Sequence, residues 1–202
     1  MGRLPEPDRP RPGLRARKKA RTRAAIQDHA LRLFSERGYE QTTIDEIAEA
    51  AEVSPSTFFR YFRTKEDVVL YDDLDPVMFA GLAAQPADLS PIGAVRAAIR
   101  EVFGAASPGA LARQEERAAL IFSVPELRMR MLDEVIRSIH ELAAVIARRA
   151  GRADDDPAAR TVAGAAVGAV IAAWITADGR MRPDYLALMD EALDQLERGL
   201  KL

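Results

Sequence analysis

The chain has no cysteine and only two histidines, His29 and His140, among its 202 residues. Disulfides, thiolate zinc sites and cysteine nucleophiles are therefore excluded, and a histidine-rich metal centre has too few ligands. Nothing argues for an oxidising compartment. His29 falls within the apolar pattern of a helix, and His140 and its neighbour Glu141 point to different helix faces. Glu115 and Glu116 lack the Glu-x-x-His partner of a di-iron bundle. No G-x-S-x-G, Walker A or Rossmann glycine pattern occurs. An enzyme is not expected, nor is a catalytic residue, a metal or a cofactor.

Long, strongly hydrophobic runs are also missing. The longest, "TVAGAAVGAVIAAWITA" from Thr161 to Ala177, is rich in Ala and Gly and short of the roughly 20 strongly apolar residues of a membrane span. A buried helix and no membrane partner are expected. The start, "MGRLPEPDRPRPGLRARKKARTR", has no apolar segment of the secretory kind, and Glu6 stands where a myristoylation signal needs Ser or Thr. These features predict a cytoplasmic protein.

What is present is 48% hydrophobic and 30% charged residues, enough for one or two compact domains with a real core. The formal net charge of −2 hides an asymmetry. Residues 1–65 hold 14 Lys and Arg against 9 Asp and Glu, or +5, whereas residues 66–202 hold 15 against 22, or −7. The basic end suits a polyanion.

Residues 1–14, with Pro5, Pro7, Pro10 and Pro12, read as a disordered Pro/Arg-rich arm. A first helix is expected from near Arg17, with Ile26, Ala30, Leu33 and Phe34 on one face and Gly38 ending it. Thr43 and Glu46 form a capping-box pattern for a second, whose stripe is Ile44, Ile47, Ala48 and Ala51. Ser54 caps a third with Pro55 at its first position, and Thr64 with Asp67 opens a fourth through Val68, Val69 and Tyr71 that runs past Pro76 or kinks there. Five more are expected near 91–105, 109–123, 125–150, 156–178 and 183–200. No strand pattern or repeat occurs, so the class is all-α: an N-terminal three-helix helix-turn-helix domain over 15–63 and a larger helical domain over 64–202.

The stretch "TTIDEIAEAAEVSPSTFFRYF", residues 42–62, points to function. At about 100° per residue Phe58 and Phe62 share one side of the third helix, while Ser56, Thr57, Arg60 and Tyr61 share the other. Two turns of helix are marginal alone, so the phenylalanines must be buried, leaving a rigid face of small and hydrogen-bonding residues. A major groove requires such a face: one helix across the backbone, a short turn, then a helix whose first residues approach base edges. Tyr61, Lys65 and Thr43 are placed for phosphates, and "RARKKARTR", residues 15–23, adds charge. The plainer alternative is a helical hairpin with a solvated polar face and basic tail.

Residues 22–70, above all "LFSERGYEQTTIDEIAEAAEVSPSTFFRYFRTKEDVV", resemble the DNA-binding domain of TetR-family transcriptional regulators. The resemblance implies a DNA-binding head, a helical ligand-binding and dimerisation body, and a homodimer that covers a palindromic operator as a repressor until a small-molecule effector releases it. By position it assigns DNA contacts to Thr43, Ser54, Ser56, Thr57, Phe59, Tyr61 and Lys65. The family usually has Tyr where this chain has Phe59, so a hydroxyl is lost there and only packing against the sugar-phosphate backbone remains.

The second half is less explicit. "PELRMRMLDEVIRSIHELAAVIARRA", residues 125–150, carries Leu127, Met131, Val135, Ile139, Leu142 and Ile146 as an inward stripe. Plain core packing accounts for most of these positions. A ligand cavity lined by Phe103, Phe122, Met129 or Met131, and Trp174 is expected. "FSVPELRMRMLDEV" and the helix ending in Trp174 are similar to a TetR subgroup that includes the mycofactocin regulators, which implies an acyl-CoA-like effector with its phosphates near Arg113, Arg117 or Arg128. Gly164, Gly168 and the neighbouring alanines, with the helix after Pro183, predict a dimer through residues 156–200. Packing of the small residues within one chain is the alternative. A DNA-binding factor without a switch, and a ligand-dependent activator, also remain open.

Overall fold

The computed structural model describes residues 13–177 and 184–200. All regular structure among them is helical: α1 Leu14–Arg37, α2 Ile44–Ala50, α3 Pro55–Tyr61, α4 Lys65–Leu70, α5 Asp75–Ala84, α6 Pro91–Ala105, α7 Pro108–Ser123, α8 Pro125–Arg149, α9 Pro157–Thr176 and α10 Tyr185–Glu197. The chain divides into two compact units, Met1–Val68 and Val69–Leu202. The expected arm lies outside the described residues except for its last two, and there the expectation fails at Leu14, which already opens α1. After Pro12 no proline interrupts a run of good helix formers, so the basic stretch 15–23 is helical.

In the first unit, Ile26, Ala30, Leu33 and Phe34 of α1 are buried with Ile47 and Ala48 of α2 and Phe58 of α3. Gly38, at φ 88°, returns its N–H to the Phe34 carbonyl and ends α1. Gln27 is buried among these apolar side chains and donates to the Val68 carbonyl at 2.8 Å.

The second unit is a helical bundle in which α8 packs on α9, α9 on α10, and α5 and α6 on each other. Its core runs from Leu82 through Val95, Ala98 and Ile99 to Leu142, Ile146, Ala163, Ala166 and Leu193. By length and composition α9 passes as a membrane span, which the shorter apolar run did not suggest. Yet Ala159, Ala163, Ala166 and Ala173 are buried within the unit. Arg96 of α6 fastens α10 by bonds to Asp190, Asp194 and Glu197 at 2.7–3.1 Å.

The fourth helix neither continues past Pro76 nor kinks there. It stops at Leu70, and α5 begins at Asp75 with Pro76 in its first turn. The side chain of Asp72 accepts from Leu74 N–H at 2.8 Å in the break. From α7, Arg117 Nε donates to the Val69 carbonyl at 2.6 Å and Nη2 to the Leu70 carbonyl at 3.0 Å. These carbonyls belong to the last turn of α4, where a helix has no acceptor-satisfying partners of its own.

Candidate functional site

Side-chain caps fix the starts of α2, α3 and α4, and the turn between α2 and α3 is closed by the backbone, with Val53 N–H on the Ala48 carbonyl at 2.9 Å. Thr43 and Glu46 close a reciprocal capping box, with Thr43 N–H on the Glu46 carboxylate at 2.9 Å and Glu46 N–H on Thr43 Oγ1 at 3.3 Å. That backbone hydrogen bond holds the Glu46 carboxyl below the usual carboxylate range. Ser54 Oγ accepts from Thr57 N–H at 3.2 Å and caps α3. Thr64 and Asp67 repeat the box ahead of α4, each N–H on the other's side chain at 3.2 Å.

Phe58 and Phe62 point inward, 0% and 3% exposed, and touch at 6.0 Å between ring centres. The opposite side of α3 is left to the polar residues: Ser54, Ser56 and Arg60 are exposed, and Thr57 and Tyr61 half-buried. Ser54 Oγ lies 2.9 Å from Ser56 Oγ and donates to Thr57 Oγ1 at 3.0 Å, so the hydroxyls form one connected row. The Arg60 guanidinium stacks 5.5 Å from the Tyr61 ring centre, and that of Arg23 lies at 5.9 Å. Phe59 stands out from this face, 52% exposed, edge-on to Phe58. Lys65 is more engaged than its expected phosphate role implied, with Nζ 3.0 Å from the Tyr39 carbonyl and 4.4 Å from the centre of its ring.

The second unit contains a cavity of about 350 Å³ among α5 to α10. That volume is within the range of small-molecule sites, roughly 300–1,000 Å³. Phe103, Met131 and Trp174 line it as expected, with Met78, Phe79 and Val135. Phe122 and Met129 do not. Phe122 is 40% exposed and reaches only the edge of Trp174, at 5.7 Å between ring centres, and Met129 is 80% exposed because α8 turns it outward beside Leu132.

The polar lining was not foreseen as such. Arg117, 6% exposed, and Gln114, 8% exposed, project into an apolar bundle. Arg117 Nη1 donates to Gln114 Oε1 at 2.6 Å and pairs with Asp72 at 3.1 Å. The three arginines expected to serve phosphates are thus committed: Arg117 here, Arg113 to Asp73 at 3.1 Å, and Arg128 to the Phe122 carbonyl. Asp75 also lines the cavity, its carboxyl pushed up to about 7 by burial and then by the charge of Asp72. Burial raises the Tyr185 phenol to about 12, which keeps it neutral. A trace of this end was readable, since Ala110, Gln114, Arg117 and Ile121 fall at helical spacing and two of the four are polar on an otherwise inward face.

A capped turn presenting a short two-faced helix, together with a mostly apolar cavity in a second helical unit, defines a DNA-binding regulator that answers to a small molecule. Residues 26–71 match the family model described as bacterial regulatory proteins, tetR family, and residues 89–201 match the MftR C-terminal domain. The HTH-type transcriptional regulator TcmR of Streptomyces glaucescens is 38% identical over 199 residues, covering 92% of this chain and 87% of that protein. The mycofactocin biosynthesis transcriptional regulator MftR of Mycobacterium tuberculosis is 27% identical over 160 residues, 78% of this chain and 80% of that one. FadR of Thermus thermophilus, a TetR-family repressor solved with lauroyl-CoA, shares the fold at a TM-score of 0.52 and 24% identity, over 89% of this chain and 95% of that one. The chain belongs to the TetR family of transcriptional regulators. It is a ligand-responsive DNA-binding protein and not an enzyme.

Proposed function

We propose that the protein is a repressor that binds a palindromic operator as a homodimer and is released when a small, largely apolar effector enters the cavity. The head is residues 15–63 and the body residues 64–202. The observation that carries the DNA role is the polar face of α3, left open because Phe58 and its cap residue Phe62 are the side chains there that are fully buried. Ser56 and Thr57 at its start read base edges. Tyr61 and Lys65 hold phosphates, Phe59 packs on the sugar-phosphate backbone, and Thr43 and Ser54 contact phosphate while capping.

The homodimer uses α9 and α10. Among the described residues a Cβ added at Gly164 or Gly168 would meet nothing within 4 Å, so the small-residue side of α9 is left open by them. Ile175, seven residues beyond Gly168 on the same side of α9, is 58% exposed, and Leu186 of α10 is 40% exposed. An apolar surface of this kind is covered by a second copy in a symmetric dimer.

The effector acts by population shift. In the cavity it displaces Arg117, which loosens the carbonyls of Val69 and Leu70 and moves the end of α4. The two recognition helices then depart from the spacing of roughly 34 Å that one DNA turn demands. A narrower version, an acyl-CoA effector, draws on the ligand of the FadR relative and on the MftR-like second half. Against it stand the engaged arginines Arg113, Arg117 and Arg128, which leave its phosphates no free partner among the three.

Selection of bound fragments from random DNA, followed by the mass of the complex, tests the DNA reading. The expected result is an inverted repeat holding an even number of chains. Enrichment of no site, or of a single half-site bound by one chain, contradicts it.

A further inference from the structure

The cavity has a polar end that an apolar effector does not explain. Three carboxylates line it, those of Asp72, Asp75 and Glu134, against the one guanidinium of Arg117. Every nitrogen of Arg117 is spent, Nε and Nη2 on the carbonyls of Val69 and Leu70 and Nη1 on Gln114 and Asp72. Glu134 is paired with Arg137. Asp75 is left over, since no hydrogen bond or ion pair reaches its carboxylate among the described residues. Tyr185 lines the same cavity at 7% exposure, its hydroxyl likewise unpartnered among the described residues.

We infer that the effector is a small organic cation whose apolar body lies among Met78, Phe79, Phe103, Met131 and Trp174 and whose protonated amine meets the Asp75 carboxylate. This inference rests on the cavity being the effector site. A half-buried carboxylate with no directly bonded counter-ion is costly, and a cation bound to it removes a cost that Arg117 and Arg137, which act on it only through their charge, do not. The Tyr185 hydroxyl offers a second polar contact, to a ligand donor or acceptor. An anionic ligand has the opposite experience: it brings a second negative charge to Asp75 and finds no uncommitted cation in the lining.

Trp174 is the only tryptophan of the chain and lines the cavity, so its fluorescence reports occupancy directly. Decylamine, decanol and decanoate, which differ only in the charge of the head group, are titrated at pH 8 against the full-length protein. Decylamine is expected to bind at least tenfold more tightly than decanol, and decanoate more weakly than either. In Asp75→Asn the amine should fall to the affinity of the alcohol, with the alcohol itself changed less than about twofold. The ranking on the wild-type protein stands even where the variant folds poorly. Decanoate or lauroyl-CoA binding as tightly as the amine, or an amine preference that survives Asp75→Asn, overturns the cation and keeps the effector site. A Trp174 signal indifferent to compounds that release the operator overturns the site itself.

Discussion

At the scale of the residue, Asp75 ties the charge of the cavity to the stability of the fold. Its proton is held more tightly in the folded chain than in the unfolded one, because burial and Asp72 oppose ionisation more than Arg117 and Arg137 favour it, with Glu141 adding to the opposition. The sign follows from linkage. The stabilising effect of that bound proton is complete below the ordinary carboxylate range and is lost as pH rises through about 7. Asp75→Asn should therefore raise the melting temperature at pH 8 and change it little at pH 4, as read by thermal denaturation at the two pH values. Equal shifts at both would mean that the carboxyl is not held protonated. On the DNA side, Thr57→Ala should weaken operator binding by about 1–3 kcal/mol with little change on random DNA, the ratio of the two affinities being the readout. Thr43 is a poorer probe, because its hydroxyl closes the α2 capping box and its loss costs about 1 kcal/mol of stability in its own right.

At the level of elements, much of the head was legible from local chemistry. The two capping boxes, the Ser54-Pro55 start and the Gly38 stop are written in consecutive residues, and each formed as its residue types dictate. The break between α4 and α5 was not legible, because its cause lies in α7, where Arg117 takes the carbonyls of Val69 and Leu70 across 47 or more positions of sequence. The same holds for the α6–α10 clasp. Arg96 collects three carboxylates from α10, and Asp190 is lowered to about 2 by Arg96 and then by Arg100. Arg96→Ala should destabilise the second unit by about 1–3 kcal/mol, measured by denaturant unfolding, as expected when one partner of a partly buried network is removed. Arg117→Met should leave effector binding measurable by Trp174 fluorescence and reduce the effector's influence on operator affinity. A variant with undiminished coupling would remove Arg117 from the pathway.

For the whole molecule, the family resemblance rested on residues 22–70 and the all-α class on helical patterning along the full chain, whereas the cavity's polar end required the packed bundle. Phe103, Met131 and Trp174 were recognisable as apolar residues at inward spacing, yet the same reasoning admitted Phe122 and Met129, which only the actual helix rotation sends outward. The open side of α9 supplies a prediction at this scale. Gly168→Glu places a charge on that side, where an added Cβ meets nothing within 4 Å among the described residues, and glutamate favours a helix over glycine. It should give a folded monomer by sedimentation, with unchanged helical circular dichroism and operator affinity down at least tenfold.

The most direct measurement is operator affinity with and without a saturating ligand, chosen as any compound that alters Trp174 fluorescence. Coupling between sites of this kind is typically about 1–3 kcal/mol, or roughly 5- to 150-fold. A ligand-released repressor requires a fall in operator affinity of that size, and an equal fall in ligand affinity when operator is present. Operator affinity that stays the same, with the cavity demonstrably filled, contradicts it.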